Sequence, residues 1–132
     1  MPTLRMGKAF IYEDGGADFM ARVIDPSDGA RSVQDDIDGI TYAVFDLNGE
    51  EITKPVSSGS LTVSSVIFNS LQTDSRWTVD STGYNFRDIR TPADFPIGGH
   101  TYRVEYLFNP SAAGTQDFFV CFEVTTVRVY TS

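Results

Sequence analysis

Two side chains stand out as candidates for chemistry, because the chain has one histidine, His100, and one cysteine, Cys121. A histidine titrates near neutral pH and can act as a general base when a nucleophile and an orienting group lie beside it. The sequence carries no Gly-x-Ser-x-Gly elbow to supply that nucleophile. We therefore predict that the protein is not an enzyme, and that His100 is the first residue of a strand, at a strand edge or in a subunit contact.

Cys121 can form no disulfide within the chain, and no Cys-His metal cluster can be built around it. A lone cysteine usually behaves as a small hydrophobic residue, and this is the interpretation we favour. A reactive thiol or a subunit contact is the alternative.

The best candidate for metal binding is an acidic segment. Its carboxylates are those of Asp25, Asp28, Asp35, Asp36 and Asp38. Hard cations such as Ca²⁺ prefer clustered carboxylate and carbonyl oxygens. The spacing differs from that of the EF-hand loop, because no glutamate stands at the final ligand position. We therefore predict a solvated surface loop, with no metal and no cofactor.

Trp77, the only tryptophan, could bind a ligand. Aromatic rings combine a large apolar face with a polar edge, so Trp77 with Tyr84 and Asn85 could form a carbohydrate-binding or host-surface-binding loop. The alternative interpretation is that Trp77 anchors a loop against the core.

The element that places His100 is a strand. Over residues 101–108 the even positions are apolar or aromatic and the odd positions are mostly polar, a period of two that is typical of a strand with one buried face. The same period recurs over residues 118–124, after which the apolar side chains shift to Val127 and Val129. This shift predicts a β-bulge near Thr125 and Thr126.

Further strands are predicted at residues 4–12, 18–24, 40–47, 50–53, 61–71 and 84–90. Asn48 and Gly49 mark a hairpin between two of them, since both residues tolerate positive φ. No long segment repeats its apolar residues with the helical period, and one short helical turn is predicted near residues 92–95. We therefore predict one all-β domain over residues 1–132, an antiparallel sandwich of seven or eight strands.

The charge balance limits the classes of partner. Eighteen acidic residues against ten basic ones give a net charge of −8, and the basic residues are scattered singly, so the footprint that nucleic acid or an anionic membrane requires is missing. No apolar run approaches the roughly 18 residues of a membrane span, and the first residues lack the apolar stretch of a signal peptide. We predict no nucleic-acid partner, no membrane partner and no Sec export.

Residues 99–104 (GHTYRV) resemble the start of strand F in immunoglobulin-like domains. There a tyrosine hydroxyl bonds back to the preceding corner of the chain, an arrangement called the tyrosine corner. The resemblance implies that Tyr102 is this tyrosine and that the turn ending at Phe95 is the corner. It implies an antiparallel immunoglobulin-like β-sandwich that lacks the cysteine pair and the strand C tryptophan of antibody domains.

Several segments are similar to those of small proteins of tailed bacteriophages and prophages. They are residues 10–17 (FIYEDGGA), 70–77 (SLQTDSRW), 82–86 (TGYNF), 95–106 (FPIGGHTYRVEY) and 118–124 (FFVCFEV). Immunoglobulin-like proteins of that kind are virion components that decorate heads or build connectors, tails and baseplates. The resemblance implies a non-enzymatic structural role in a multi-copy assembly. The implied partners are major capsid, tail or connector subunits and further copies of the chain, in a virion made in the bacterial host cytoplasm.

Overall fold

The structure is a computed structural model, and it describes residues 4–12, 15–25, 29–112 and 115–128. Eight strands run through these residues. They are β1 (Leu4–Tyr12), β2 (Ala17–Ala21), β3 (Ile37–Asp46), β4 (Ser57–Leu61), β5 (Ile67–Gln72), β6 (Tyr84–Arg90), β7 (Thr101–Pro110) and β8 (Phe118–Val127). Helical structure in the described residues is limited to α1 (Val63–Val66) and two 3-10 turns, Gln34–Asp36 and Pro92–Asp94. The second of these turns confirms the helical turn predicted near residues 92–95.

The strands form two sheets that pack face to face, which confirms the predicted all-β sandwich. The larger sheet has the order β1-β8-β7-β3-β4 and the smaller one the order β2-β6-β5. Five strands therefore lie in one layer and three in the other. Within the described residues no helix is long and apolar enough to cross a bilayer.

The pairing of β1 corrects the prediction of a wholly antiparallel fold. β1 runs parallel to β8, whereas the other ladders are antiparallel. The reason is that β1 and β2 lie in different sheets. The chain changes sheets between β1 and β2, so the two strands do not pair with each other. β1 pairs instead with the outer side of β8, and the two strands run in the same direction.

The segment after β3 also differs from the prediction, because residues 50–53 form no strand. Lys54 N donates to Glu51 O at 3.1 Å, which closes a turn. Pro55 has no N–H group to place in a ladder, and pairing with β3 starts only where Val56 N donates to Val44 O at 2.7 Å. The return strand is therefore β4, and the strand predicted over residues 61–71 is divided by α1 between the two sheets.

The core lies between the sheets and is built from aromatic rings. The even residues of β7 from Tyr102 to Phe108 are fully buried, as the period of two predicts. Phe86 from the opposite sheet meets the ring of Tyr106 edge-on at 4.9 Å and that of Phe108 at 5.5 Å. These contacts bring β6 and β7 together, and they fix the spacing of the two layers.

A β-bulge does lie at Thr126, but its extra residue is on the segment before β7 and not on β8. Gly99 N donates to Thr126 O at 3.0 Å and Thr126 N donates to His100 O at 2.9 Å, so Gly99, with a φ of +84°, and His100 both lie opposite Thr126. The pairing of β8 with β1 keeps its register through this point, whereas the regular ladder with β7 ends at the pair of Thr101 and Thr125. Thr126 stays on the buried side because its hydroxyl donates to Ile97 O at 3.0 Å and to His100 O at 2.8 Å. Val127 faces outward instead, and Val129 lies outside the described residues. The predicted shift of the buried side of β8 to Val127 did not occur, because backbone carbonyl oxygens satisfy a buried threonine that the pattern counted as polar.

One charged network lies inside the sandwich between β6 and β7. Arg90 Nε is 2.8 Å from a carboxylate oxygen of Asp88, and Arg90 NH1 is 4.0 Å from one of Asp94. Tyr106 donates its hydroxyl to Asp88 at 2.7 Å, and the Arg90 guanidinium lies 4.0 Å from the centre of the Tyr42 ring. Burial is the largest effect on the pKa of Arg90 and lowers it, but Asp88, Tyr42, Tyr106 and Asp94 together outweigh burial, so the pKa lies above its usual value.

Candidate functional site

His100 lies one residue before β7, at the point where β3 ends beside it. Its Nδ1 is 2.8 Å from a carboxylate oxygen of Asp46, and Asp46 also accepts the N–H of Asn48 at 2.9 Å. In the described chain no hydroxyl or thiol is hydrogen-bonded to the imidazole ring, and Cys121 is paired with Glu105 further along the sheet. The contact between His100 and Asp46 joins the end of β3 to the turn before β7. Sequence reasoning missed Asp46, since its partner is remote in the chain.

Tyr102 forms the corner contact that the resemblance implies. Its hydroxyl accepts the N–H of Ile97 at 2.8 Å, and its ring meets that of Phe95 edge-on at 5.5 Å. Burial raises the pKa of Tyr102 above its usual value, so the phenol stays protonated. The turn between β6 and β7 is thereby tied to the buried end of β7.

The segment between β5 and β6, residues 73–83, is held by two aspartates, and we call it the Trp77 loop. Asp80 accepts the indole N–H of Trp77 at 2.9 Å and the backbone N–H groups of Thr82 and Gly83 at 3.0 and 3.1 Å. Arg22 donates to the same carboxylate at 2.7 Å. The polar edge of the tryptophan is therefore bonded within the loop.

The second aspartate of the loop, Asp74, accepts hydrogen bonds from a guanidinium group and from a phenol hydroxyl. Arg76 donates to it through Nε and NH2 at 3.2 and 3.0 Å, and Tyr84 donates its hydroxyl at 2.7 Å. The Trp77 and Tyr84 rings lie 5.6 Å apart, centre to centre. One side of the indole therefore rests on a buried tyrosine.

Two of the three residues predicted as a ligand loop are buried, so that prediction is wrong for them. Tyr84 is 1% exposed and Asn85 is 0% exposed. Asn85 accepts the N–H of Val23 at 2.6 Å and donates to Val23 O and Ser32 O at 2.9 and 2.7 Å. These hydrogen bonds of the Asn85 side-chain amide hold the segment before β3 against β6.

Trp77 is the one member of that set that faces an open space. It lines a groove of about 190 Å³ together with Met20 and Phe122. The carboxylate of Asp18 also borders the groove, but it is paired with Arg87 at 2.7 Å. The groove therefore offers apolar surface, while its charged neighbours already have partners.

The two aspartates of the Trp77 loop have depressed pKa values. Hydrogen bonds from Arg76 and then Tyr84 hold the pKa of Asp74 well below its usual range. Hydrogen bonds from Trp77, from the Gly83 N–H and from Arg22 do the same for the pKa of Asp80. A carboxylate with a depressed folded-state pKa stabilises the fold above its unfolded value, and this stabilisation is lost as the pH falls towards the folded value.

We expect the Trp77 loop to loosen in acid. The stabilisation by Asp80 should decline as the pH falls from about 4, the ordinary pKa of aspartate, towards the depressed folded-state pKa, and the emission of the single tryptophan should change when Asp80 is protonated well below pH 4. Asp80→Asn should shift the neutral-pH emission and reduce this acid transition. A fluorescence titration measures both, with Asp117→Asn, an exposed aspartate outside the loop, as the matched control. An unchanged transition in Asp80→Asn would contradict the assignment.

The acidic segment gathers no set of metal ligands in the described residues. Asp36 accepts the N–H of Val33 at 3.0 Å and so closes the 3-10 turn before β3. Asp38 is an exposed residue of β3, and Asp28 lies outside the described residues. The 3-10 turn that Asp36 closes therefore explains part of the clustering of aspartates in the sequence.

Cys121 is fully buried, although it lies opposite the core face of β8. Arg103 NH2 is 3.8 Å from its sulfur, and Arg103 is paired with Glu105 at 2.8 Å. Burial raises the pKa of the Cys121 thiol above its usual value. The favoured interpretation as a small hydrophobic residue fits this setting, because a thiol with a raised pKa is a poor nucleophile at neutral pH.

One end of the sandwich carries most of the exposed large apolar residues in the described part of the chain, and we call it the apolar end. It is formed where β3 and β8 end and where β4 and β7 begin. Its exposed large apolar residues are Leu47, Ile52, Val56, Ile97 and Val127. These are five of the seven such residues in the described part of the chain, and their exposed fractions run from 38% to 52%.

Backbone contacts hold the apolar end together. Leu47 N donates to Thr101 O at 2.9 Å, and Gly99 N donates to Thr126 O at 3.0 Å. Arg128 donates to Gly98 O at 3.0 Å. Apolar surface gathered on anchored turns is typical of a protein–protein contact site.

Comparison of the chain with protein-family models, with curated proteins and with solved structures finds no match.

Proposed function

We propose that the protein is a non-enzymatic structural component of a tailed-phage virion, a capsid decoration protein or a head–tail or tail protein. It acts through protein–protein contacts in a multi-copy assembly. The proposal rests on the resemblance of its segments to small phage proteins, on the fold and on the surface.

The fold supports a structural role because an immunoglobulin-like sandwich is rigid and presents turns and strand edges for docking. The net charge of −8 keeps free subunits apart before assembly and favours partners that carry basic patches. Glu50 and Glu51 are exposed beside the apolar end, so a capsid, tail or connector surface that combines apolar and basic residues would fit there.

The observation that carries the proposal is the apolar end. Five of the seven exposed large apolar residues of the described chain lie at this one end, and apolar side chains concentrated on one side of a protein suit a contact with another protein. The role therefore assigns these residues to the interface with a neighbouring virion protein.

The proposal is tested on phage particles purified from the host that encodes the chain. Mass spectrometry should find the protein in multiple copies per particle. Purified chain added to particles that lack it should rebind, and Ile52→Glu/Val127→Glu should reduce rebinding at least tenfold, because a buried charge disrupts an apolar contact.

The matched control is Val79→Glu/Ile89→Glu, which makes the same change at the two exposed apolar residues away from the apolar end. It should rebind like the unmodified chain. Absence of the protein from particles would overturn the proposal. So would a saturable thermal shift with sugars that Trp77→Ala abolishes, since that outcome favours the alternative of a carbohydrate- or host-surface-binding module at the Trp77 groove.

A further inference from the structure

The two sheets leave four outer strand edges, and three of them carry features that discourage pairing with another chain. β1 contains Arg5 and Lys8, and β2 is five residues long with Asp18 exposed. Charged residues and short length are devices that natural sheets use to block edge-to-edge pairing.

The edge of β5 is covered by the chain segment before β3. Gln34 Nε2 donates to Ile67 O at 2.9 Å, and Arg31 NH2 donates to Asn69 O at 3.2 Å. Gln34 N also donates to the Asn69 side chain at 2.8 Å. Two backbone carbonyl groups of this edge, those of Ile67 and Asn69, therefore already have partners.

The remaining edge, β4, is as short as β2, with five residues, but it is neither charged nor covered. Its sequence is Ser-Ser-Gly-Ser-Leu, without charge and without proline, and its pairing with β3 shows no shift of register. In the part of the chain that the structure describes, no backbone hydrogen bond joins residues 57–61 to any strand except β3. The peptide groups on its other side are open to a further strand.

Gly59 lies close to the ring of Tyr42, so a side chain at this position would be crowded. A Cβ atom there would lie 3.0 Å from a ring carbon of Tyr42 and 3.2 Å from its hydroxyl. Tyr42 thus covers the core side of the glycine and is itself packed against Arg90. The exposed residues of β4 are Ser58 and Ser60, so the strand itself presents no bulky or charged side chain to an approaching strand.

We propose that β4 is the edge through which two copies of the chain associate. The strands pair antiparallel about a twofold axis at Gly59, which joins the two larger sheets into one continuous sheet. In this register Ser58 lies opposite Ser60 of the partner subunit. The inference names the self-contact of the proposed assembly and rests on that function for its purpose, although the pairing is measurable in free solution.

A second copy fits this edge better than a foreign strand for two reasons. A twofold contact requires a surface that matches itself, and uniform small side chains around a glycine do so. β4 carries none of the charge of −8, so pairing through this edge places no like charges directly opposite each other within the strand. Because five residues give an interface well below the ordinary size of about 1,600 Å², the dimer is weak when dilute and strengthens where an assembly holds copies side by side.

Sedimentation velocity over a concentration series up to about 1 mM, the range of weak complexes, tests the pairing. The unmodified chain should dimerise, and Ser58→Lys/Ser60→Lys should weaken dimerisation at least tenfold. Ser75→Lys/Ser81→Lys, at exposed positions of the Trp77 loop, adds the same charge and should dimerise like the unmodified chain. Both variants reduce the overall repulsion, so a loss confined to the β4 variant is specific to the edge.

A cross-link tests the register. Oxidation of Ser58→Cys/Ser60→Cys with diamide should give a covalent dimer, while Ser75→Cys/Ser81→Cys should remain mostly monomeric. A monomeric unmodified chain at every concentration, or equal dimerisation of the β4 lysine variant with an unchanged circular dichroism spectrum, would overturn the pairing. Absence of the covalent dimer would overturn the register at Gly59. Absence of the chain from particles, with dimerisation intact, would overturn only the virion function.

Discussion

Arg90→Met should lower the free energy of unfolding by about 3–5 kcal/mol, the usual result of removing one partner of a buried ion pair. The side chain of Arg90 is 16% exposed and that of Asp88 is 6% exposed, so water cannot replace the guanidinium. The variant leaves Asp88 and Asp94 together between the sheets without a cation. Tyr106, whose pKa is raised by burial and then by Asp88, still donates one hydrogen bond and offsets little of the loss.

Urea unfolding followed by circular dichroism measures this effect. The matched control is Arg87→Met, which removes the same side chain from the pair with Asp18, where the partners are 25% and 34% exposed. That variant should cost no more than about 1 kcal/mol, as exposed pairs do. Equal losses in the two variants would contradict a special role for the buried network. Asp88→Asn added to Arg90→Met should recover part of the stability, because it removes one unpaired charge.

Asn85→Ala should lower the free energy of unfolding by about 2–4 kcal/mol, since each buried group left without a partner costs about 1–3 kcal/mol. The substitution leaves Val23 N–H and Ser32 C=O without this amide. Val23 O keeps a second partner, because Ser32 N donates to it at 3.1 Å. Two backbone groups rather than three therefore become unsatisfied.

The matched control for Asn85 is Asn69→Ala. Asn69 also accepts a backbone N–H of a distant segment, that of Gln34 at 2.8 Å, but it does so at the surface. Water can satisfy the freed N–H group there, and the loss should stay near the roughly 0.5–1.5 kcal/mol of an ordinary hydrogen bond. Thermal unfolding of both variants measures the difference. If Asn85→Ala were as stable as Asn69→Ala, the buried amide would not be the link between β6 and the segment before β3.

The two proposed contact surfaces are distinct in chemistry. The apolar end offers large side chains on anchored turns, which suits the surface of a different protein. The β4 edge offers unpaired peptide groups beside small side chains, which suits a strand. Substitutions at Ile52 and Val127 leave residues 57–61 unchanged, so each surface can be tested without altering the other.

The sequence by itself determined the local features of the fold. The alternation over residues 101–108 predicted β7 and its buried face, and Thr91 with Pro92 predicted the short turn before it. Side-chain period and turn chemistry act over a few neighbouring residues, so they can be read from the chain without knowing its partners. The tyrosine corner was within reach for the same reason, since Tyr102 bonds to Ile97 only five residues away.

Only the tertiary structure decided which distant groups meet. Asp46 lies beside His100 across 54 positions of the chain, and Asn85 binds Val23 across 62. The period of two gives the side of a strand but not the element that covers it, so Asn85 looked like a surface residue. Thr126 misled the pattern in the same way, because a polar side chain can be buried when remote carbonyls accept its hydrogen bond. The exposed β4 edge and the apolar end likewise emerge only from packing, because exposure is a property of the whole fold.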